Sequence, residues 1–276
     1  MWYNLHTHSN WCDGRSTIRE HVRQAELSGL RAIGFASHAP LPFPCAWCVQ
    51  PGRLEQYLQE IDSVRRQSAM PVYAGLEVDF IPGVIGPSDF RSTLDFTIGS
   101  VHFVDGTADH RWEADSDAEV FRNGLDRFFG GDVQGAVMRY FALIREMLSS
   151  SPPDILGHMD RIKVHNSNFP FFDESSAWYL DELVHTLEAA RDAGVIVEVN
   201  TRGLYRKRSL EPYPGRFALM RMAEMKIPVM LASDAHHREE LVAGFPEAVA
   251  FLNQAGIREV VRFNGTGWEP CAMPDC

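Results

Sequence analysis

The feature that most constrains this chain is a repeated alternation: a short apolar, β-branched run, then an amphipathic stretch with helical spacing. Trp2 to His8 reads as a strand, and Ser16 to Ser28 as a helix closed by Gly29. Ala32 to Ser37 is the next strand and Arg53 to Gln67 the next helix, followed by strands over Val72 to Val78 and Phe96 to His102. A long helical region, Asp117 to Phe129 and Val133 to Ser149, is broken at Gly130-Gly131. Ile155 to His158, Val195 to Asn200 and Val229 to Ala232 supply three more strands, with helices over Ser175 to Ala193 and Arg216 to Met225 between them. Glu239 to Asn253 reads as the last long helix and Gly256 to Phe263 as a short final strand. Such alternation implies a parallel sheet covered by helices. Seven units suit a closed ring better than an open sheet, so the expected class is α/β, a distorted (β/α)7 TIM-like barrel. Residues 1–276 read as one domain, the last ten or so (about 267–276) as a loose tail.

The 276 residues are 45% hydrophobic and 23% charged, enough to bury a large core. The net charge of −11 argues against a nucleic-acid-binding surface, which needs a basic footprint. A small anionic substrate stays open, because bound cations override global charge locally. No stretch has the length of a membrane span and the first residues carry no leader pattern, so a cytoplasmic protein is expected. Cys45-Ala-Trp-Cys48 has the spacing of a redox or zinc half-site, but it sits among prolines with no second CxxC to complete a zinc knot. Cys271 and Cys276 fall in the expected tail and read as reduced thiols.

Metal-capable side chains fall where the predicted strands end. His6 and His8 close the first, His38 follows the second and Glu77 ends the third. His102 ends the fourth, His158 the fifth, and Asp234 with His236 follow the seventh. The C-terminal rim of a barrel is where active sites form. In His6-Thr7-His8 and Asp234-Ala235-His236, strand geometry turns both members of each i, i+2 pair to one side. A carboxylate such as Glu77, emerging from a buried strand, needs a charged partner. The other histidines, His21, His110, His165, His185 and His237, read as surface residues.

His6-Thr7-His8, Ser37-His38, Gly75-Leu76-Glu77, Ser100-Val101-His102, Gly157-His158-Met159-Asp160 and Ser233-Asp234-Ala235-His236 occur in the order of the PHP (polymerase and histidinol phosphatase) superfamily, which the chain resembles almost throughout. Cys12-Asp13-Gly14, His158-Met159-Asp160-Arg161 and the run from Glu198 to Arg206 are most similar to the monofunctional histidinol-phosphatases of histidine biosynthesis. The resemblance implies a phosphatase with three divalent metal ions, commonly Zn, Mn or Fe. One would be held by His6, His8, Glu77 and Asp234; a second by Glu77, His102 and His158; the third by Asp13, His38 and His236. Asp13 stands where many members have histidine, and its hard oxygen shifts the expected preference toward Mn or Fe.

Glu77, Asp234, His236 and Arg161 are the expected catalytic residues. Arg161 and Arg202 each follow a rim-ending strand and offer a guanidinium fork to phosphate, with Arg206 beside them in a basic loop. The substrate's amine calls for a rim carboxylate and its imidazole for aromatic neighbours, with Phe43, Trp47 and Tyr205 as candidates. The expected partner is a small phosphomonoester, with no nucleic acid and no membrane. Three rivals remain: a PHP phosphoesterase of other specificity, a catalytically silent metal-binding PHP domain, and an amidohydrolase-type barrel. The last needs a lysine ligand, for which Lys163 is the nearest and a misplaced candidate.

Overall fold

The computed structural model describes residues 2–107, 110–167 and 170–273. Strands β1 (Tyr3–Asn4), β2 (Ala32–His38), β3 (Val72–Asp79) and β4 (Phe96–Ser100) are followed by a hairpin, β5 (Phe103–Thr107) and β6 (His110–Glu113). Then come β7 (Ile155–Leu156), β8 (Ile196–Asn200), β9 (Val229–Ala232) and a second hairpin, β10 (Glu259–Phe263) and β11 (Trp268–Ala272). The helices are α1 (Ile18–Leu27), α2 (Leu54–Arg65), α3 (Ala118–Phe129), α4 (Val133–Ser150), α5 (Ala177–Ala193), α6 (Arg202–Tyr205), α7 (Arg216–Met225) and α8 (Phe245–Ala255).

Seven parallel strands pair in the order β1-β2-β3-β4-β7-β8-β9. The ring is nearly closed by a parallel bridge between Thr7 and Ala235, just past the ends of β1 and β9. There the His8 amide donates to the Ala235 carbonyl at 2.8 Å, and the Ala235 amide to the His6 carbonyl at 3.3 Å. The seam of the barrel therefore runs through the two metal-capable tripeptides.

Period two sorts the strand residues. Outward positions such as Ile33, Phe35, Leu76, Val78, Val197, Val199 and Leu231 pack under the helices. Inward positions begin apolar, with Ala32, Tyr73, Phe96, Ile98, Ile196 and Met230 in one inner cluster. The same inward rows then turn polar toward the C-terminal ends: Glu77 and Asp79 on β3, Ser100 on β4, Glu198 and Asn200 on β8. The Phe96 ring fills the barrel so tightly that a Cβ on Gly75 would lie 2.4 Å from it and one on Gly34 2.9 Å, so both positions need glycine.

Several expectations need correction. The ladder of β1 stops at Asn4 rather than His8, and that of β7 at Leu156 rather than His158. The segments beyond turn into the rim, where side chains share the backbone hydrogen bonds with neighbouring strands: the Asn4 carboxamide and Glu198 carboxylate oxygens accept from the amides of His6 and His158, while the Gly157 amide still donates to the Gly99 carbonyl. The last helix begins at Phe245, not Glu239, because Gly244 takes a left-handed φ of 76° after a short turn at Arg238–Glu240. The expected loose tail instead pairs antiparallel with β10 through Trp268–Ala272. Phe263 packs on Tyr73 and on Trp268, each at 5.0 Å, so the hairpin plugs the N-terminal mouth of the barrel. Residues 274–276, including Cys276, lie outside the described residues. No helix among the described residues is long and apolar enough to cross a membrane.

His21 also departs from its expected surface position. Helix α1 opens with a capping box, Thr17 accepting from the Glu20 amide while Glu20 accepts from that of Thr17. That register turns His21 inward with Ile18, Val22 and Ala25, edge-on to Phe35 at 5.9 Å, and neither ring nitrogen has a hydrogen-bond partner. Burial pushes its pKa down to about 3, from an ordinary 6.5. The unfolded chain thus takes up this proton first, so stability is full above pH 6.5 and declines as pH falls toward 3. The contribution lost between pH 7 and pH 5 is about 2 kcal/mol. Urea unfolding of the His21→Leu variant should show a correspondingly shallower loss between those pH values than the parent; equal losses would mean that the ring is protonated or solvated in the folded state.

Candidate metal centre

Glu77 stands at the middle of the rim. Its Oε2 lies 3.3 Å from His6 Nε2, 3.4 Å from His8 Nε2 and 3.1 Å from His38 Nδ1. Its Oε1 lies 3.0 Å from His158 Nε2 and 3.5 Å from His102 Nε2, and accepts from Ser100 Oγ at 2.7 Å. Asp234 Oδ1 is 3.3 Å from His8 Nε2 and 4.0 Å from His6 Nε2. A third grouping forms where Asp13 Oδ2 meets His236 Nε2 at 2.9 Å, with Asp13 Oδ1 3.8 Å from His38 Nε2. The turn that presents Asp13 requires Gly14, because a Cβ there would sit 2.5 Å from the His8 carbonyl oxygen.

These side chains fit divalent ions. The nitrogens His6 Nε2 and His8 Nε2 face one another at 3.1 Å, and His38 Nδ1 is buried against Glu77 without hydrogen-bond geometry. Donor atoms within 4.8 Å of one another form three sets: His8, Asp13, His38 and His236; His6, His8 and Glu77; His38, Glu77 and His102. These overlap the division implied by family resemblance but are not identical to it, since His8 and His38 each stand between two sets. Mixed imidazole and carboxylate donors suit Zn, Mn or Fe.

A second layer fixes the imidazoles. His6 Nδ1 bonds Glu198 at 2.7 Å and His102 Nδ1 bonds Asp79 at 2.9 Å, leaving each Nε2 aimed at Glu77. Glu198 also accepts from the His158 amide at 2.8 Å and from Asn200 Nδ2 at 2.9 Å. His8 Nδ1 instead has the Cys12 thiol, 3.5 Å away. Burial alone would depress the pKa of His6; Glu198, Glu77 and Asp234 outweigh it and raise it to about 10. His102 rises likewise to about 10 under Asp79, Asp115 and Glu77. Against the burial that would neutralise it, Glu77 is held well below the carboxylate range by His6, His38 and His102. Buried carboxylates and imidazoles are thus gathered at one point, a donor set suited to cations. Asp234 sits at a left-handed φ of 53°, unusual for a non-glycine residue and placed where the barrel seam meets the cluster.

Asp13, His38, Trp47, Glu77, His102, His158, Asp234 and His236 line one cleft of about 210 Å³ together with Glu113, Asp115, Arg161 and Arg202. Arg161 Nε donates to Asp115 Oδ2 at 2.5 Å, and its Nη1 is 3.6 Å from Asp234 Oδ2. Arg202 Nη1 donates to the Asp234 carbonyl at 2.7 Å and meets His236 Nδ1 at 2.7 Å. Arg206 is not brought in: its side chain points to Glu240, 3.6 Å away, and is largely exposed. Tyr205 is occupied as a donor to the Ser233 and Asp234 carbonyls. Lys163 is buried in ion pairs with Asp160 at 2.8 Å and Glu174 at 3.4 Å, which removes it as a ligand.

Sequence reasoning missed four carboxylates. Asp79 and Glu198 were findable, since alternation from Glu77 and from the middle of a buried strand turns both inward. Asp115 and Glu113 were not, because the hairpin that presents them, tied back by the Ala114 amide to the His102 carbonyl at 2.9 Å, read as plain loop. In that hairpin, Asp115 is a positioning residue for Arg161; burial would raise its pKa, but Arg161 and His102 hold it at about 2. Asp115→Asn in metal-loaded protein should weaken inorganic-phosphate binding about tenfold by calorimetry, the scale of one charge-assisted hydrogen bond. Unchanged affinity would show that Arg161 is oriented without it.

Comparison with known proteins agrees with this geometry. A protein of Deinococcus radiodurans named Probable histidinol-phosphatase is 31% identical over 267 residues, 92% of this chain and 94% of its own. The histidinol-phosphatase of Bacillus subtilis is 26% identical over 253 residues, covering 84% and 92%. A crystal structure of histidinol phosphate phosphatase from Lactococcus lactis, complexed with zinc, L-histidinol and phosphate, superposes with a TM-score of 0.74 at 21% identity, over 97% of this chain and 98% of that one. Residues 4–202 match the PHP domain family, and with the seven-stranded barrel around its rim of histidines and carboxylates the chain belongs to that family.

Proposed function

We propose that the protein is a metal-dependent phosphomonoesterase that hydrolyses L-histidinol phosphate to L-histidinol and phosphate. The observation that carries this reading is one cleft in which a histidine–carboxylate cluster, two inward-held guanidinium groups and an acidic wall converge. His6, His8, Asp13, His38, Glu77, His102, His158, Asp234 and His236 would hold divalent ions, whose chemistry there would be activation of water at neutral pH and neutralisation of phosphoryl charge.

The chain's own residues supply the rest. Arg161 and Arg202 both reach Asp234, at 3.6 and 3.9 Å, so a phosphoryl group beside Asp234 meets two guanidinium forks. Asp115 keeps Arg161 turned toward that position. At the outer wall, Glu113 is half-buried and accepts from the Trp47 indole at 3.5 Å, and among the described residues no cation lies within 4.0 Å of it. A carboxylate placed so is suited to the ammonium group of an amino-alcohol phosphate. Trp47 stacked on Phe103 at 5.7 Å gives the imidazole an apolar face. Relatives named histidinol-phosphatase over most of their length support the same substrate.

The test is phosphate release from L-histidinol phosphate by metal-stripped protein, with and without Zn, Mn or Fe, beside a panel of amine-free phosphomonoesters. Metal-dependent turnover with the panel slow is expected. Glu113→Gln should lower kcat/KM for L-histidinol phosphate by about tenfold while leaving phenyl phosphate nearly unaffected, the scale of one charge-assisted contact. Equal loss on both substrates would remove Glu113 from amine recognition; turnover of the panel but not of L-histidinol phosphate would overturn the substrate.

A further inference from the structure

Residues 43–47 line a second cleft beside the first, Trp47 and Glu113 forming the wall common to both, and the two flanking sulfurs of Cys45-Ala-Trp-Cys48 are joined in a disulfide with Cα atoms 5.5 Å apart, an ordinary separation. The stretch whose spacing reads as a redox or zinc half-site is thus a closed disulfide. The pair takes no part in any metal-capable grouping among the described residues, so a zinc half-site is not what holds it. Trp47 lies inside the four-residue ring. Its indole stands edge-on to His38 at 4.6 Å and to His102 at 5.7 Å, and it donates to Glu113. The chain leaving the ring is tied to the same place, the Val49 amide donating to the His38 carbonyl at 3.0 Å. Cys48 is sealed in an apolar cluster with Leu41, Ile81 and Phe103, whereas Cys45 is only partly covered. One sulfur is therefore reachable and the other is not.

The geometry points to a thiol–disulfide exchange site in the cleft wall, whose oxidised form holds Trp47 over the substrate-binding end and whose reduced form releases it. Its co-reactant is a dithiol. A thiolate of the dithiol attacks Cys45 Sγ, forming a mixed disulfide, while Cys48 leaves as a thiolate and takes a proton. The second thiol of the donor then closes on its own mixed-disulfide sulfur and frees Cys45. Two electrons and two protons pass to the protein, and the donor leaves as a disulfide. Loss of the constraint on Trp47 weakens the wall that meets the organic part of the substrate and leaves the phosphate end untouched. In its kinetic arm the proposal rests on the phosphatase reading above.

The experiment compares metal-loaded protein after mild oxidation with the same protein reduced by a phosphine and then freed of it, with metal content checked in both. Of the five cysteines, three should titrate in the oxidised form and all five after reduction under denaturing conditions. Reduction should shift tryptophan emission in the parent and not in Trp47→Phe. It should also raise KM for L-histidinol phosphate about three- to tenfold, the scale of one aromatic contact, while Ki for inorganic phosphate moves less than twofold. The Cys45→Ser/Cys48→Ser variant should show the reduced KM and no response to either treatment, which separates the effect from Cys12 beside His8. Five titrating thiols after oxidation would overturn the proposal, as would equal KM in the two forms. Were L-histidinol phosphate not the substrate, an emission shift absent from the parent or retained in Trp47→Phe would still overturn it.

Discussion

Everything at the rim of this barrel is arranged around the carboxylate of Glu77. Five imidazole nitrogens stand within 3.0–3.5 Å of its two oxygens, and they come from β2 and from the segments that follow β1, β4 and β7. A buried carboxylate is costly unless its charge is matched. Here Asp79, Glu198 and Asp234 are buried with it, matched by the imidazoles and by the guanidinium groups of Arg161 and Arg202 beside Asp234. The chain concentrates negative charge where its strands converge, and its inward rows change from apolar to acidic within a few residues to do so. Phe96, seated over Gly34 and Gly75, marks that change on the side of the core.

Fold and site share one seam. The bridge of Thr7 with Ala235 is the last link of the ring, and His6, His8, Asp234 and His236 flank it. Assembling the donor cluster and closing the barrel are therefore a single event, which couples ion binding to folding stability. The left-handed backbone at Asp234 fits the same view: a conformation disfavoured for aspartate is held in place by the seam on one side and by Arg202 on its carbonyl oxygen.

The parallel barrel was legible because strand-like and helical stretches alternate along most of the chain, and the donor set because histidines at strand ends are rarely idle in such numbers. The short ladders of β1 and β7 were not legible, since nothing in the residues marks where strand pairing gives way to isolated bridges and side-chain hydrogen bonds. His21 was misread because one histidine on an amphipathic helix carries no mark of its face until the capping box at Thr17 fixes the register. The two hairpins escaped for a different reason. Each pairs two short runs only a few residues apart, without the apolar alternation that marks the barrel strands, and the one leading to Glu113 and Asp115 brings acids to the cleft. Arg206 failed for a related reason: its loop leaves the rim, and proximity in sequence to Arg202 did not place it in the cleft.

If divalent ions occupy this cluster, Glu77 would be a ligand common to them rather than an ordinary buried acid. The most direct test of that role is metal content by inductively coupled plasma mass spectrometry, after reconstitution and gel filtration, for the parent and for Glu77→Ala. The folded variant should lose the ions held around Glu77 together and keep at most the one near Asp13 and His236. A folded Glu77→Ala protein that retained the parent's full complement would contradict it.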